Sequence, residues 1–181
     1  MPCLQPGHQI AALHLNAIDG QSVHVPDTLK LTHLQFRRFA GCPMCNLHIH
    51  SFVRRHAELQ QAGIQEVAVF HSSTAGLLAQ HAQAPFALIA DPHKALYRQF
   101  GVESGWRSVL DPRSWGAAVR GLLKRGVGLP GRGESMLGLP ADFLIAPDGR
   151  LLAAHYGRHA DDQWSLDELL TLASNHHQHA R

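Results

Sequence analysis

Residues 30–53, KLTHLQFRRFAGCPMCNLHIHSFV, contain the change of pattern that decides the fold. Apolar and polar residues alternate imperfectly over Lys30–Phe36, and this alternation predicts a strand. From Cys45 onward, apolar residues recur at helical spacing until Gly63, which predicts an amphipathic helix of about 18 residues. Cys42 and Cys45 therefore fall where a strand gives way to a helix.

This strand and helix belong to a longer alternation along the chain. A hairpin is predicted over residues 10–25, with Asp19-Gly20 in its turn. After Gly63 the predicted elements are the strands Val67–Phe70 and Phe86–Ala90 with the helix Ser72–Gln83 between them, a short helix after Asp91-Pro92, a hairpin of Ala141–Ala146 and Leu151–Tyr156, and a last helix, Ser165–Ala173. This order predicts an α/β fold in which helices flank a mixed central β-sheet.

The rhythm is interrupted over residues 102–138. Glycine and proline are scattered there around one predicted helix, Arg113–Lys124, and we expect an insertion across the top of the domain. The remaining pattern predicts a single domain over residues 1–174, a length that can bury a full core. The polar residues 175–181 are predicted to form a disordered tail.

Composition narrows the class of protein. The chain has 181 residues, of which 45% are hydrophobic and 17% charged, and a formal net charge of +2, which argues against nucleic acid as a partner. Its start lacks the basic region and apolar run of a signal peptide, and no stretch approaches the length of a membrane span, so we expect a cytoplasmic protein. Three cysteines are too few for a disulfide framework, and a cysteine pair in a reducing compartment is expected to react.

Cys42 and Cys45 are the candidate reactive groups. Cys42 follows Gly41 and precedes Pro43, a residue suited to the first helical position, so Cys42 is predicted to be the N-cap. A thiolate there faces free backbone N–H groups and the positive end of the helix dipole, which lowers its pKa and makes Cys42 the predicted nucleophile. Cys45 lies one helical turn on, within disulfide reach, and is the predicted resolving cysteine. Arg37 and Arg38, which precede the motif, have two interpretations: they add positive potential at Cys42, or they are a solvated pair on the surface.

The cysteine pair also has other interpretations. Two cysteines at this spacing also occur as ordinary buried apolar residues. A zinc site would use Cys42 and Cys45 with His48 and His50, but these two histidines project from opposite sides of a helix and no second pair completes a tetrahedral set. Redox chemistry without a cofactor or metal is therefore favoured, and a structural zinc site or a binding protein without catalysis is the alternative.

A second feature is the dipeptide Leu139-Pro140, directly before the predicted strand Ala141–Ala146. Proline is tolerated at the first residue of a strand in any sheet. With the cysteine pair upstream, however, the chain resembles the thioredoxin-like superfamily, in which a cis-proline before the corresponding strand faces the redox cysteines. Pro140 matches that position, and the resemblance implies that it belongs to the site.

Three segments resemble the peroxiredoxin-like branch of the alkyl hydroperoxide reductase and thiol-specific antioxidant (AhpC/TSA) family. The resemblance implies a thioredoxin-like fold and redox chemistry at Cys42 and Cys45, by peroxide reduction or by thiol–disulfide exchange. It also implies an external dithiol reductant, such as a thioredoxin- or glutaredoxin-type protein or glutathione, and it allows a homodimer. The segments are RFAGCPMCNLHIHSF, LPADFLIAPDGRLLAAHYGRHADD and PGHQIAALHLNAIDGQSVHVPD.

The chain also departs from the patterns of the proteins it resembles. Peroxiredoxins place Thr or Ser three residues before the peroxidatic cysteine and Pro four residues earlier, where this chain has Phe39 and Gln35. Thioredoxins carry a buried carboxylate six residues before the first cysteine, where this chain has Phe36. Neither family's mechanism therefore applies unchanged to this chain, and another group or water must accept the proton of Cys45. The candidate histidines are His33, His71 and His155.

Overall fold

The computed structural model describes residues 3–102 and 138–179. Within them lie seven strands and five helices. The strands are β1 Leu13–Asn16, β2 Ser22–Val25, β3 Leu31–Arg37, β4 Ile64–Phe70, β5 Ala87–Ala90, β6 Ala141–Ile145 and β7 Leu151–Tyr156, and the helices are α1 Pro43–Arg54, α2 His56–Gln61, α3 Thr74–His81, α4 Ala95–Gln99 and α5 Leu166–His179. The predicted helix Arg113–Lys124 lies outside the described residues.

Five strands form one sheet in the order β5-β4-β3-β6-β7. β3 pairs in parallel with β4, and β4 pairs in parallel with β5, whereas β6 runs antiparallel to both β3 and β7. β1 and β2 form the predicted N-terminal hairpin as a separate antiparallel pair. The predicted α/β fold with a mixed central sheet flanked by helices is confirmed.

The central strand β3 is buried on both faces along its whole length. Leu34 and Phe36 point to an apolar face, where they join Phe143 and Phe100 in one core cluster. Side chains alternate along a strand, so His33, Gln35 and Arg37 point to the opposite face, beneath α1. Helix α1 therefore packs on the polar side of β3.

The predicted helix of about 18 residues is two helices in the structure. α1 ends at Arg54, and Arg55 departs from helical geometry with φ −110° and ψ 20° before α2 begins. The Arg55 guanidinium bonds Glu58 at 2.6 Å and Asp167 of α5 at 2.7 Å. The apolar spacing continues in helical phase across this break, which explains why periodicity did not reveal it.

The C-terminal helix is longer than predicted. It begins with a capping box, in which the Ser165 N–H donates to Glu168 Oε2 at 2.7 Å and the Glu168 N–H donates to Ser165 Oγ at 3.3 Å. The helix then continues to His179, so the prediction of a disordered tail from residue 175 is wrong for its first five residues. Polar residues extend a helix once it is nucleated, because each added residue gains a backbone hydrogen bond.

No helix in the described ranges is both long and apolar enough to cross a membrane.

Candidate active site

Cys42 and Cys45 lie at the junction between β3 and α1. The Cys42 N–H donates to the Phe39 carbonyl at 3.0 Å, which closes the turn containing Gly41. Cys42 is the N-cap of α1 in an extended conformation, and Pro43 is the first helical residue. The predicted placement at the start of the helix is confirmed.

The two thiols are buried side by side, with Cys42 1% and Cys45 2% exposed. The Cys45 thiol donates a hydrogen bond to the Cys42 sulfur and lowers the pKa of Cys42 to about 6, against the opposing effect of burial. The Arg38 charge and the backbone amides of Cys45 and Met44 lower it further. Burial and the bond to Cys42 raise the pKa of Cys45 well above its usual value. Cys42 is therefore the thiolate of the pair at neutral pH.

Arg38 supplies the positive charge beside both sulfurs, and its side chain is itself buried. Its carbonyl accepts the His71 N–H at 3.3 Å. Gly138 packs against the same two residues. A Cβ added at Gly138 would lie 3.2 Å from His71 Nε2 and 3.6 Å from Arg38 Cγ. The chain thus returns to the site at residue 138, beside Arg38 and His71.

Pro140 lies two residues after Gly138, and its carbonyl accepts a hydrogen bond from the Gly157 N–H at 2.9 Å. Among the described residues the cis peptide bond is Val25–Pro26, and the Leu139–Pro140 bond is not cis. The expectation of a cis-proline at Pro140 is therefore wrong. Trans is the favoured isomer of an X–Pro bond by about 0.5–1 kcal/mol, and Pro140 leads directly into the β6–β7 ladder in that form.

Beneath α1 lies a buried polar network that sequence reasoning missed. Asp142 of β6 bonds the Arg37 guanidinium and, at 3.2 Å, His33 Nε2. His33 Nδ1 bonds Glu66 at 2.7 Å, and Arg37 Nη2 donates to His48 Nε2 of α1 at 2.9 Å. Every second residue of β3 from His33 to Arg37 belongs to this network. Such alternation ordinarily indicates a solvent-facing side, and only the packing of α1 on the strand makes it a buried one.

The network balances its charges internally. Burial opposes a charge on His33, but Glu66 and Asp142 outweigh it and raise the pKa of His33 to about 9. Burial likewise opposes the charge of Asp142, yet Arg37 and His33 hold the pKa of this carboxyl well below its usual range. Burial and the Arg37 charge lower the pKa of His48, which stays neutral and accepts a hydrogen bond from Arg37. Two cations thus face two carboxylates.

These contacts decide among the candidate proton acceptors. His33 already holds its proton at neutral pH, so it is not available as a base. His155, which belongs to β7, forms a hydrogen bond with Asp162 at 2.9 Å. His71 lies beside Arg38 and Gly138, and of the three predicted histidines it is the one whose contacts reach the cysteine site.

Phe36 stands at the position where thioredoxins carry a buried carboxylate. Its ring packs edge-on against Phe143, with ring centroids 5.7 Å apart, on the apolar face of the sheet. Among the described residues, two carboxylates of the buried network stand near that position: Asp142 on the neighbouring strand β6, opposite Gln35, and Glu66 on β4.

The zinc interpretation is not favoured. Over residues 3–102 and 138–179, no three Cys, His, Asp or Glu side chains are grouped so that they could hold a metal ion. His48, one of the four ligands considered, points its Nε2 atom at Arg37.

Replacement of Arg38 by Met is expected to raise the pKa of Cys42, because the aliphatic stem remains while the charge is lost. In the wild-type protein the rate of Cys42 alkylation should rise with pH to a midpoint at about 6. In the variant this midpoint should move upward, towards the usual thiol range. Peptide-resolved mass spectrometry after timed iodoacetamide pulses measures the rate for each cysteine separately. The matched control is Arg98→Met on the exposed side of α4, and an equal shift in that variant would contradict a local effect of Arg38.

Comparisons with known proteins agree with this fold. Residues 51–159 match the sequence pattern of the family described as AhpC/TSA antioxidant enzyme, a segment that begins after both cysteines. The comparison with curated proteins gives no match.

Solved structures share the fold across nearly the whole chain. Peroxidoxin BcpB from Mycobacterium tuberculosis superposes with a TM-score of 0.70 at 17% identity, covering 95% of this chain and 97% of its own. A serine-for-cysteine mutant of peroxiredoxin 6 of Arenicola marina gives 0.74 at 13% identity, covering 98% and 76%. A candidate thiol:disulfide interchange protein, DsbE, from Chlorobium tepidum gives 0.61 at 22% identity, covering 94% and 99%.

The family match spans more than half of the chain, and the peroxiredoxin fold extends over nearly all of it. The predicted family resemblance and the predicted thiol-dependent redox function are confirmed. The chain belongs to the AhpC/TSA antioxidant enzyme family and is a thiol-dependent oxidoreductase.

Proposed function

We propose that Cys42 and Cys45 form the redox centre and that its substrate is a peroxide, with a protein disulfide as the second candidate. The observation that carries this proposal is the hydrogen bond from the Cys45 thiol to the Cys42 sulfur at the start of α1, beside Arg38. It supplies a nucleophile and a resolving thiol that are already in contact.

In the peroxide reaction, the Cys42 thiolate attacks one peroxide oxygen and the O–O bond breaks. Cys42 becomes a sulfenic acid, and the departing alkoxide or hydroxide takes up a proton. Cys45 then attacks the Cys42 sulfur and forms the Cys42–Cys45 disulfide, while its proton passes through a neighbouring base to the departing sulfenic oxygen, which leaves as water. An external dithiol returns both cysteines to the reduced state and is itself oxidised to a disulfide.

In the disulfide reaction, the Cys42 thiolate attacks one sulfur of the substrate disulfide and releases a thiolate. Cys45 resolves the resulting mixed disulfide and releases the second substrate thiol. The observation that favours this second candidate is the absence of Thr or Ser at position 39, where a peroxidatic site of the usual pattern has a hydroxyl; Phe39 stands there.

Other residues are proposed to support the dithiol. Arg38 stabilises the Cys42 thiolate, and Pro43 and Gly41 set the turn that presents it. His71 is the proposed acceptor of the Cys45 proton, because it lies beside Arg38. Pro140 is proposed to line the site through the segment that passes His71 at Gly138.

The proposed setting is the cytoplasm, where low-molecular-weight thiols keep a dithiol reduced. The proposed reductant is a thioredoxin- or glutaredoxin-type protein or glutathione. A structural neighbour of 8% identity, a yeast mitochondrial 1-Cys peroxiredoxin, is described with a thiol resolving mechanism via glutathione and thioredoxin systems. A homodimer is proposed as the assembly.

A single-turnover comparison tests the proposal. Pre-reduced protein is mixed with one equivalent of hydrogen peroxide, an organic hydroperoxide or insulin, and thiols are counted before and after while zinc is measured in the same sample. We expect two thiols to be lost together, fastest with a peroxide, with no zinc bound. Fastest oxidation by insulin would select the disulfide reaction, and one bound zinc with no oxidisable pair would contradict both.

A further inference from the structure

The Tyr97 side chain lies beneath the point where β3 and β4 end, and it is 4% exposed. Its hydroxyl is within hydrogen-bonding distance of two backbone carbonyls, that of Arg37 and, at 3.0 Å, that of Val69. These carbonyls belong to neighbouring parallel strands, in which Phe36 is paired with Val69. One phenol therefore ties together the ends of the two strands that lead into the site.

The two strand ends continue directly into the residues beside the dithiol. Arg37 is followed by Arg38, and the end of β4 is followed by His71, whose N–H donates to the Arg38 carbonyl at 3.3 Å. The carbonyl before Arg38 is thus held by Tyr97 and the carbonyl of Arg38 itself by His71. This arrangement restrains the backbone from which the Arg38 guanidinium reaches towards Cys42.

Packing holds the Tyr97 ring in place independently of its hydroxyl. Its centroid lies 5.0 Å from that of Phe36 and 5.8 Å from that of His71. The Asp91 carboxylate anchors the start of α4 by accepting from the Ala95 N–H at 2.9 Å and the Leu96 N–H at 2.8 Å. Removal of the hydroxyl alone should therefore leave the ring where it is.

The phenol is also within electrostatic reach of the dithiol. Burial, and then charge on Cys45, raise the pKa of Tyr97 well above its usual value. Tyr97 therefore remains a protonated donor throughout the pH range in which Cys42 titrates.

We propose that Tyr97 is a positioning residue, whose hydroxyl holds the ends of β3 and β4 so that Arg38 stays beside the Cys42 sulfur. The inference rests on the proposed function, in which Cys42 is the nucleophile. It assigns to a residue of α4 an influence on the reactivity of the cysteine that caps α1.

The variant Tyr97→Phe tests this role. We expect the alkylation midpoint of Cys42 to rise by about one pH unit, which slows alkylation at pH 6 about fivefold because fewer molecules carry the thiolate. The matched control is Tyr156→Phe, which also removes a phenol hydroxyl bonded to a backbone carbonyl, that of Phe100 at 2.7 Å. The control should lose stability without any shift of the Cys42 midpoint.

A double variant separates positioning through Arg38 from a general loosening of the site. Tyr97→Phe combined with Arg38→Met should show the same Cys42 midpoint as Arg38→Met alone, since the charge that Tyr97 positions is then missing. An unchanged midpoint in Tyr97→Phe, or an equal further shift in the Arg38→Met background, would overturn the inference. If the wild-type protein itself lacked a midpoint near pH 6, the proposed function would fail instead.

A second measurement keeps Tyr97 in place, so its result does not depend on how well the Tyr97→Phe variant folds. The chain has two tyrosines, so labelling with 3-fluorotyrosine gives two fluorine resonances, which Tyr156→Phe assigns. The Tyr97 resonance should move as Cys42 titrates and again on oxidation of the dithiol, while the Tyr156 resonance stays in place. A Tyr97 resonance whose chemical shift stays constant through both changes would also overturn the inference.

Discussion

Replacing Cys42 with serine is expected to abolish thiol-dependent turnover, with a loss of at least about a thousandfold. Serine keeps the size of the side chain, but its hydroxyl stays protonated at neutral pH and cannot replace a thiolate whose pKa is about 6. Steady-state consumption of hydrogen peroxide and of a protein disulfide, each with excess dithiol, measures this loss.

The same experiment on Cys45 should give a different result. Cys45→Ser keeps a hydroxyl that can donate to Cys42 but removes the resolving sulfur, so one equivalent of oxidant should be consumed and turnover should then stop. The trapped product should be a Cys42 sulfenic acid with peroxide or a mixed disulfide with a disulfide substrate, both visible by mass spectrometry.

Cys3→Ser is the control for these variants, because Cys3 is exposed and outside the core that contains the other two cysteines. It should retain full turnover. Wild-type rates in Cys42→Ser, or first-step trapping at Cys45 in place of Cys42, would contradict the assigned roles.

Replacing Asp142 with alanine is expected to lower the free energy of unfolding by about 3–5 kcal/mol. The carboxylate neutralises Arg37 and His33 in a region from which water is excluded, and both cations would be left without it. Chemical denaturation at neutral pH, monitored by tryptophan fluorescence and circular dichroism, measures the change.

A surface ion pair provides the matched control for Asp142. Asp167 bonds Arg55 at 2.7 Å, but its side chain is 77% exposed, so Asp167→Ala should cost less than about 1 kcal/mol. The double variant Asp142→Asn with Arg37→Met, which removes one charge of each sign, should recover part of the stability lost in Asp142→Ala. Equal losses in Asp142→Ala and Asp167→Ala would show that the network does not stabilise the fold.

The network also predicts how stability depends on pH. The pKa of His33 is about 9 in the folded protein and 6.5 in its ordinary state, so folding favours the protonated ring. The resulting stabilisation is fully present below pH 6.5 and is lost as pH rises through about 9, a decline on the order of 3 kcal/mol. Replacement of His33 by Gln should flatten that decline in denaturation curves recorded from pH 6 to 10.

Local signals in the sequence were sufficient to place the two cysteines at the start of a helix. Pro43 directly after Cys42 marks a helix start, and the helical spacing from Cys45 places the second thiol one turn on. These features act within a few residues, so no knowledge of distant contacts was needed. The hairpin of β6 and β7 was predicted for the same reason, because its two apolar runs are close together in the sequence.

Predictions that depended on distant parts of the chain were less successful. The interruption at Arg55 is stabilised by Asp167, which lies 112 residues away, and Asp142 reaches Arg37 across 105 residues. The resemblance to thioredoxins suggested a cis bond at Pro140, which the path into β6 does not have. A one-dimensional pattern contains no information about which of its polar residues will be brought together.

The sequence by itself determined the strand-to-helix junction, the order of elements and the cysteine pair, because each depends on neighbouring residues and backbone geometry. Only the tertiary structure decided that His33, Gln35 and Arg37 are buried, that Arg38 lies beside the Cys42 thiolate, and that Tyr97 ties the strand ends beneath it. The physical reason is that burial and electrostatics depend on what packs against a side chain. In this chain the decisive partners come from β4, β6 and α4, far along the sequence from β3 and α1.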